Sequence, residues 1–195
     1  HLMPLNSTGA GGGVHENFLE LLEWMPFKNA DDYKKYISRI IAFKPQVEQY
    51  CDLMAHGACG RGISCSQSML RKVEGRLKEL IASDLPELRE PLERAEKEGK
   101  KLDPDIPTNT VKSIDKCFRP GLERLLDFLK EFYADRARAE PGVKAVRNGE
   151  QMYAECLRFH TSTAMTAQEI HDLGLQEVAR IEARFKEEVL AKVGF

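Results

Sequence analysis

Apolar positions in this chain recur every three to four residues, and strict alternation is almost absent. That period marks amphipathic helices, whereas half-buried strands alternate every second residue. "NFLELLEWM" (Asn17–Met25) predicts a short apolar-faced helix that stops before Pro26. "NADDYKKYISRIIAF" opens on Asn29, a natural N-cap, with Asp32 in the first turn where the helix dipole favours a carboxylate. Tyr33, Tyr36, Ile37, Ile40 and Ile41 form its predicted buried face. Pro45 is expected at the first turn of a further helix, "QVEQYCDLMAHGA", which ends near Gly57 or Gly60.

The pattern continues in "SQSMLRKVEGRLKELIA" (Ser66–Ala82), with Met69, Leu70, Val73, Leu77 and Leu80 inward. "PELREPLERAEKEGKK" is so charged that it reads as a short exposed helix or hairpin corner, and "DPDIP" breaks the chain at 103–107. Thr108 is placed as the cap of the next helix, which Pro120 and Gly121 should kink or divide near Phe118–Arg119. Glu140–Gly149 is a loop, with "VKAVR" inside it as the one β-like stretch. "EQMYAECLRFH" is a helix of about three turns. Thr166 then caps the last helix, and Glu169 three residues on completes a capping box. No self-similarity of the kind that marks helical repeats is present. The reading is an all-α chain of long antiparallel helices: an irregular glycine-rich start at 1–16, helices at 17–65, a helix and charged hairpin at 66–107, and long helices at 108–195.

Composition narrows the function classes. At 195 residues the chain suits one domain or one piece of a larger domain. Its 29 basic and 31 acidic residues are mixed without like-charge blocks, so no nucleic-acid surface or polybasic membrane patch is suggested. No apolar run reaches the roughly 20 residues of a membrane span. The opening "HLMPLNSTGAGGG" has neither the basic start nor the apolar core of a secretory signal. Because the chain starts on His1 and stops in mid-pattern at Phe195, it is read as a fragment of a longer protein.

Most chemical motifs are missing. "GAGGG" (Gly9–Gly13) lacks the Gly-Lys-Ser/Thr of a phosphate loop and reads as a turn. Five cysteines, an odd and sparse set, do not make a disulfide framework. Cys59 and Cys65 can pair in an oxidising compartment, or they are incidental thiols, the reading favoured here. His56, Cys59 and Cys65 lack a fourth zinc partner, and His160 and His171 on one continuous helix would stand about 16 Å apart. No residue is therefore assigned as a metal ligand or catalytic group. "RFHTST" differs in kind. Arg158, His160 and Thr161 bring a fixed cation, an imidazole and a hydroxyl to one helix terminus, where they are either a capping set or a binding set.

Three segments together resemble the N-terminal helical part of the "domain of unknown function 885" family. They are "MPFKNADDYKKYISRI" (Met25–Ile40), "RPGLERLLDFLKEFYADRARAEPGV" (Arg119–Val143) and "LRFHTSTAMTAQEIHDLGLQEVARIEA" (Leu157–Ala183), the last being the most specific. The start of the chain matches more loosely: Asn6 is followed by Ser7, and a glycine run stands where the family carries a glycine pair. The resemblance implies an α-helical protein similar to zinc metallopeptidases of the gluzincin kind. There a His-Glu-x-x-x-Gly-His motif and a downstream acidic ligand hold zinc, and the motif glutamate is the general base. That motif would lie C-terminal to Phe195, so zinc is expected in the full-length parent and no ligand falls in this chain. The implied role is a non-catalytic N-terminal portion that forms one wall of a peptide-substrate cleft and packs on the remaining C-terminal part of the same chain. Arg158, His160 and Thr161 are the expected substrate-facing residues. The alternative is a non-enzymatic helical interaction module.

Overall fold

The structure, a computed structural model, describes residues 13–193 apart from the side chain of Arg61. Among the described residues the chain is all-α, with no strand; an isolated bridge pairs Ser66 with Arg138. Residues 1–12, which hold most of the expected glycine-rich start and of the "GAGGG" turn, lie outside the described residues. The chain divides after Gly142 into two compact units.

The first unit carries the core. Helix α1 (Val14–Glu23) begins three residues earlier than the apolar pattern suggests, with Gly13 as its N-cap. Helix α2 (Ala30–His56) begins as read. Asn29 accepts from the Asp32 amide at 3.1 Å, and the Asp32 carboxylate returns to the Asn29 amide, closing a capping box. Contrary to the expectation from sequence, Pro45 does not start a new helix; it lies inside α2. Tyr36, Ile40, Phe43, Val47, Cys51 and Met54 form one buried row that runs through Pro45, while Pro45 itself is exposed. Burial of that row on both sides outweighs the roughly 3 kcal/mol that an interior proline costs. Ile41, assigned inward, is 49% exposed, because the helix rotates it past the buried row.

Helix α3 (Gln67–Ala82) follows, with Ser66 accepting from the Met69 amide. Leu70, Val73, Leu77 and Leu80 are buried, and Met69 is half-buried. The charged segment becomes α4 (Pro86–Lys97), which does bury Leu88, Pro91 and Ala95. Tyr36 donates to the Leu88 carbonyl at 2.7 Å, which fastens α4 to α2.

Helix α5 (Asp105–Ser113) starts before Thr108. That residue is therefore inside the helix and not its cap, and its hydroxyl donates back to the Pro104 carbonyl. Helix α6 (Arg119–Phe128) follows with the backbone still helical at the junction. No loop divides the chain at Pro120. A wide π-type turn (Ile114–Phe118) precedes it, in which the Arg119 amide reaches back five residues to the Ile114 carbonyl. The wider turn lets the chain stay helical where proline lacks an amide. Gly121 lies against Phe43, whose ring stacks on Phe118 at 4.1 Å between centroids and meets Phe18 edge-on. Arg119 donates to the carbonyls of Ile81 and Ser83 and so closes the C-terminal end of α3.

The second unit holds α7 (Gly149–Thr161) and α8 (Ala167–Arg184), which a wide turn (Phe185–Leu190) extends into α9 (Ala191–Val193). Its loop is tight. A Cβ on Gly149 would lie 1.8 Å from the Val143 carbonyl oxygen, so only glycine fits there.

Candidate functional site

The C-terminal turn of α7 carries all three residues singled out by sequence. Why the helix stops there is local. Ser162 adopts a left-handed conformation (φ 55°), and its amide donates to the Arg158 carbonyl at 3.0 Å, an αL termination. The next residues climb a ladder of hydroxyls. Thr161 donates to the Leu157 carbonyl at 2.7 Å, shares a 2.9 Å hydrogen bond with the Thr163 hydroxyl, and accepts from the Thr163 amide at 3.3 Å. The Met165 amide then turns to Thr163. Thr166 accepts from the Glu169 amide at 3.2 Å, and Glu169 accepts from the Thr166 amide at 2.7 Å. Those bonds, first the amide and then the Thr166 hydroxyl, hold the Glu169 carboxyl below its ordinary range. The expected capping box is therefore present.

The three candidates differ in how much the fold uses them. A threonine hydroxyl has one proton and two lone pairs, and Thr161 has partners for all three within its own turn. Arg158 pairs with Glu155 one turn back, and both side chains are 61% exposed. One guanidinium nitrogen carries that pair, which leaves other donors of the fork for a ligand. The His160 ring stands edge-on to Phe159, with centroids 5.1 Å apart, and has no hydrogen-bond partner among the described residues. Phe159 is 80% exposed. The sequence reading passed over Phe159. Its signal is an aromatic residue between Arg158 and His160 that continues the row of Met152 and Cys156 at spacings of four and three. Exposed phenyl and imidazole groups in edge-on contact can meet a ligand that is both apolar and hydrogen-bonding, whereas Arg158, two residues before His160, projects from the other side of the helix.

A family model described as "Bacterial protein of unknown function (DUF885)" matches residues 1–195. The chain belongs to the DUF885 family. No curated protein and no solved structure matches it.

The zinc that the resemblance implies can be tested against the DUF885 chain itself. Among the described residues no three His, Cys, Asp or Glu side chains converge as a metal would require. His160 and His171 do not share a helix, because the chain turns at Ser162. Cys51, Cys59, Cys65, Cys117 and Cys156 are all free thiols. Burial pushes the Cys51 thiol up to about 11 and also raises Cys65, which disfavours the thiolates a metal needs. The described residues do not fit a zinc site.

His15, which the sequence reading passed over, stands apart. It is fully buried, and neither ring nitrogen has a hydrogen-bond partner among the described residues. Burial lowers its pKa; the Glu16 carboxylate works against this and the Arg76 guanidinium with it. Glu16 and Arg76 are themselves paired at 2.6 Å.

Proposed function

We propose that this chain is the helical N-terminal portion of a zinc-dependent, peptidase-like DUF885 protein and that the end of α7 forms one wall of its peptide cleft. The observation that carries this reading is the unengaged His160 ring beside exposed Phe159, at the segment where the family resemblance is most specific. In this role Phe159 supplies an apolar surface for a substrate side chain. Arg158 holds a carboxylate with the free part of its fork. The His160 imidazole hydrogen-bonds a substrate carbonyl or a developing oxyanion. Thr161 shapes the turn that presents them. Zinc, when bound, supplies a polarising ion and an activated water, and its ligands come from the remaining C-terminal part of the parent chain.

The test is His160→Ala in the full-length, zinc-loaded protein. Turnover of a peptide substrate should fall by about 10²–10⁴-fold with an unchanged melting temperature, since an exposed ring adds little to folding. Intact turnover would overturn the cleft reading.

The alternative, a helical interaction module, is favoured by one separate feature. Helix α8 buries none of its residues, and Leu173, Leu175, Val178 and Ile181 are each 46–59% exposed.

A further inference from the structure

Among the described residues the His15 ring nitrogens are the only buried side-chain nitrogen or oxygen atoms without a hydrogen-bond partner. Other buried polar groups are satisfied: Tyr36 donates to the Leu88 carbonyl, Thr110 donates to the Ile106 carbonyl, and Tyr133 accepts from the Cys65 amide. An imidazole left in this way is tolerable only while it is neutral. A charged ring has two N–H donors to satisfy, and no acceptor stands within reach of either.

His15 occupies the first turn of α1, between Val14 and Phe18 on the buried face of that helix. Three features of the position act against a positive charge. Burial strips its solvation. The free amides of a helix N-terminus present the positive end of the dipole. The Arg76 guanidinium of α3 adds a second cation. One feature acts in favour, the Glu16 carboxylate, but it is engaged with Arg76 at 2.6 Å and bonds neither imidazole nitrogen. Helix α2 and the turn before α6 meet α1 through Phe43 and Phe118, whose ring centroids lie 5.7 Å and 5.0 Å from that of Phe18. Helix α4 brings Glu87, Glu90 and Arg94 to the groove that Glu16 and Arg76 also line, and there Glu90 and Arg94 pair with each other.

How α1 is held decides where the conflict is relieved. The helix enters the core through Val14, His15 and Phe18, with Leu19 and Leu22 only partly buried, and its ion pair to α3 is partly exposed. The other helices of the unit also pack on one another. Helix α2 lies against α5 and α6, α3 lies against α6, and Tyr33 and Tyr36 donate from α2 to the α4 backbone. Withdrawal of α1 therefore returns the ring to water without breaking those contacts.

We infer that α1 is an acid-released clasp: when His15 takes up a proton, α1 leaves the core and uncovers the Phe43–Phe118 stack, while the packing of α2, α3, α5 and α6 holds. This is independent of the cleft reading, which uses other residues. The sign follows from linkage. The released helix binds a proton with the ordinary histidine pKa near 6.5, and the docked ring binds it only at lower pH. Docking is at full strength above that pH. Below it, docking weakens by up to about tenfold per pH unit until the docked ring itself titrates.

Hydrogen exchange read by mass spectrometry on the 195-residue chain tests this, with rates corrected for the intrinsic pH dependence of exchange. Between about pH 7.5 and pH 5.5 the protection of amides in α1 should fall several-fold, up to about tenfold, while protection in α3 and α6 is retained. His15→Met keeps a side chain of similar bulk and removes the titrating nitrogens, so α1 should stay docked with protection independent of pH. Should the thioether pack poorly, His15→Gln is the second arm: its neutral amide can lower protection overall, but the pH dependence should be gone. Wild-type protection of α1 that is flat with pH, or a pH dependence that survives in these variants, overturns the inference. Loss of protection in α3 and α6 in step with α1 also overturns it, because His15 would then govern unfolding of the whole unit and not release of one helix.

Discussion

Gly121→Ala is the sharpest test of how the first unit is packed. The added methyl group would lie 2.7 Å and 2.9 Å from two carbons of the Phe43 ring and 3.4 Å from the Lys44 Cα. A relaxed carbon–carbon contact is about 3.5–4.0 Å, so the ring must retreat by nearly an ångström. It has nowhere to go. Phe43 is fully buried, stacked on Phe118 at 4.1 Å and edge-on to Phe18 at 5.7 Å. Two effects oppose each other. Alanine in place of a helical glycine stabilises by about 1 kcal/mol, whereas overpacking a closed core costs about 1–3 kcal/mol. With three aromatic rings locked together the upper part of that range applies, and the net cost is about 1–2 kcal/mol. Thermal unfolding followed by circular dichroism should show a fall in Tm of roughly 3–8 °C. The same substitution in a Phe43→Leu background should cost much less, because the smaller side chain vacates the contested volume; the double-mutant cycle then reports the contact itself. An unchanged or higher Tm for Gly121→Ala alone would refute the close approach of α2 and α6.

Three other consequences can be measured. His15 is favoured in its neutral form by burial, so its folded pKa lies below the ordinary value near 6.5 and the unfolded chain takes up the proton first. Its contribution is complete above about pH 6.5 and is lost as pH falls from there toward the folded pKa; His15→Gln should flatten the pH dependence of denaturant stability over that window, and an unaltered slope would show that His15 is not the group responsible. Thr166→Ala removes the acceptor for the Glu169 amide and should cost about 1 kcal/mol of helix stability, seen as lost helical signal in the second unit, with turnover of the full-length protein little changed. Arg138→Ala should destabilise the first unit by about 1–3 kcal/mol in urea unfolding. Its guanidinium donates to the carbonyls of Ser64, Glu140 and Gly142 while its backbone pairs with Cys65 and Gln67, and Arg138→Lys should recover only part of the loss because one ammonium does not span those carbonyls.

Local chemistry alone was enough to place much of this chain. The Asn29 and Thr166 caps, the inward faces of α2 (Ile41 apart) and α3, and the termination of α7 depend on neighbours within four residues, and each follows from periodicity and hydrogen-bonding groups visible in a string of letters. The polar end of α7 was visible for the same reason, since Arg158, His160 and Thr161 sit next to one another. Division of labour among them was not. Whether a hydroxyl is saturated by its own turn, as Thr161 is, or an imidazole is left unengaged, as His160 is, depends on where the backbone goes after Ser162.

Pro45 shows the limit most plainly. In sequence it marks a helix start, because proline lacks an amide; in the fold it lies on the exposed side of α2 while Phe43 and Val47 on either side are fully buried, and that burial keeps the helix intact. Gly121 looks like a helix breaker until Phe43, 78 positions earlier, occupies the space where its side chain would be. His15 looks like a surface residue until burial strips both its nitrogens of water. Sequence by itself determined the helices, because their period and caps are short-range. Only the tertiary structure decided which prolines are tolerated, which glycine is obligatory and which histidine is left without a partner, because those outcomes are set by atoms that are distant along the chain and close in space.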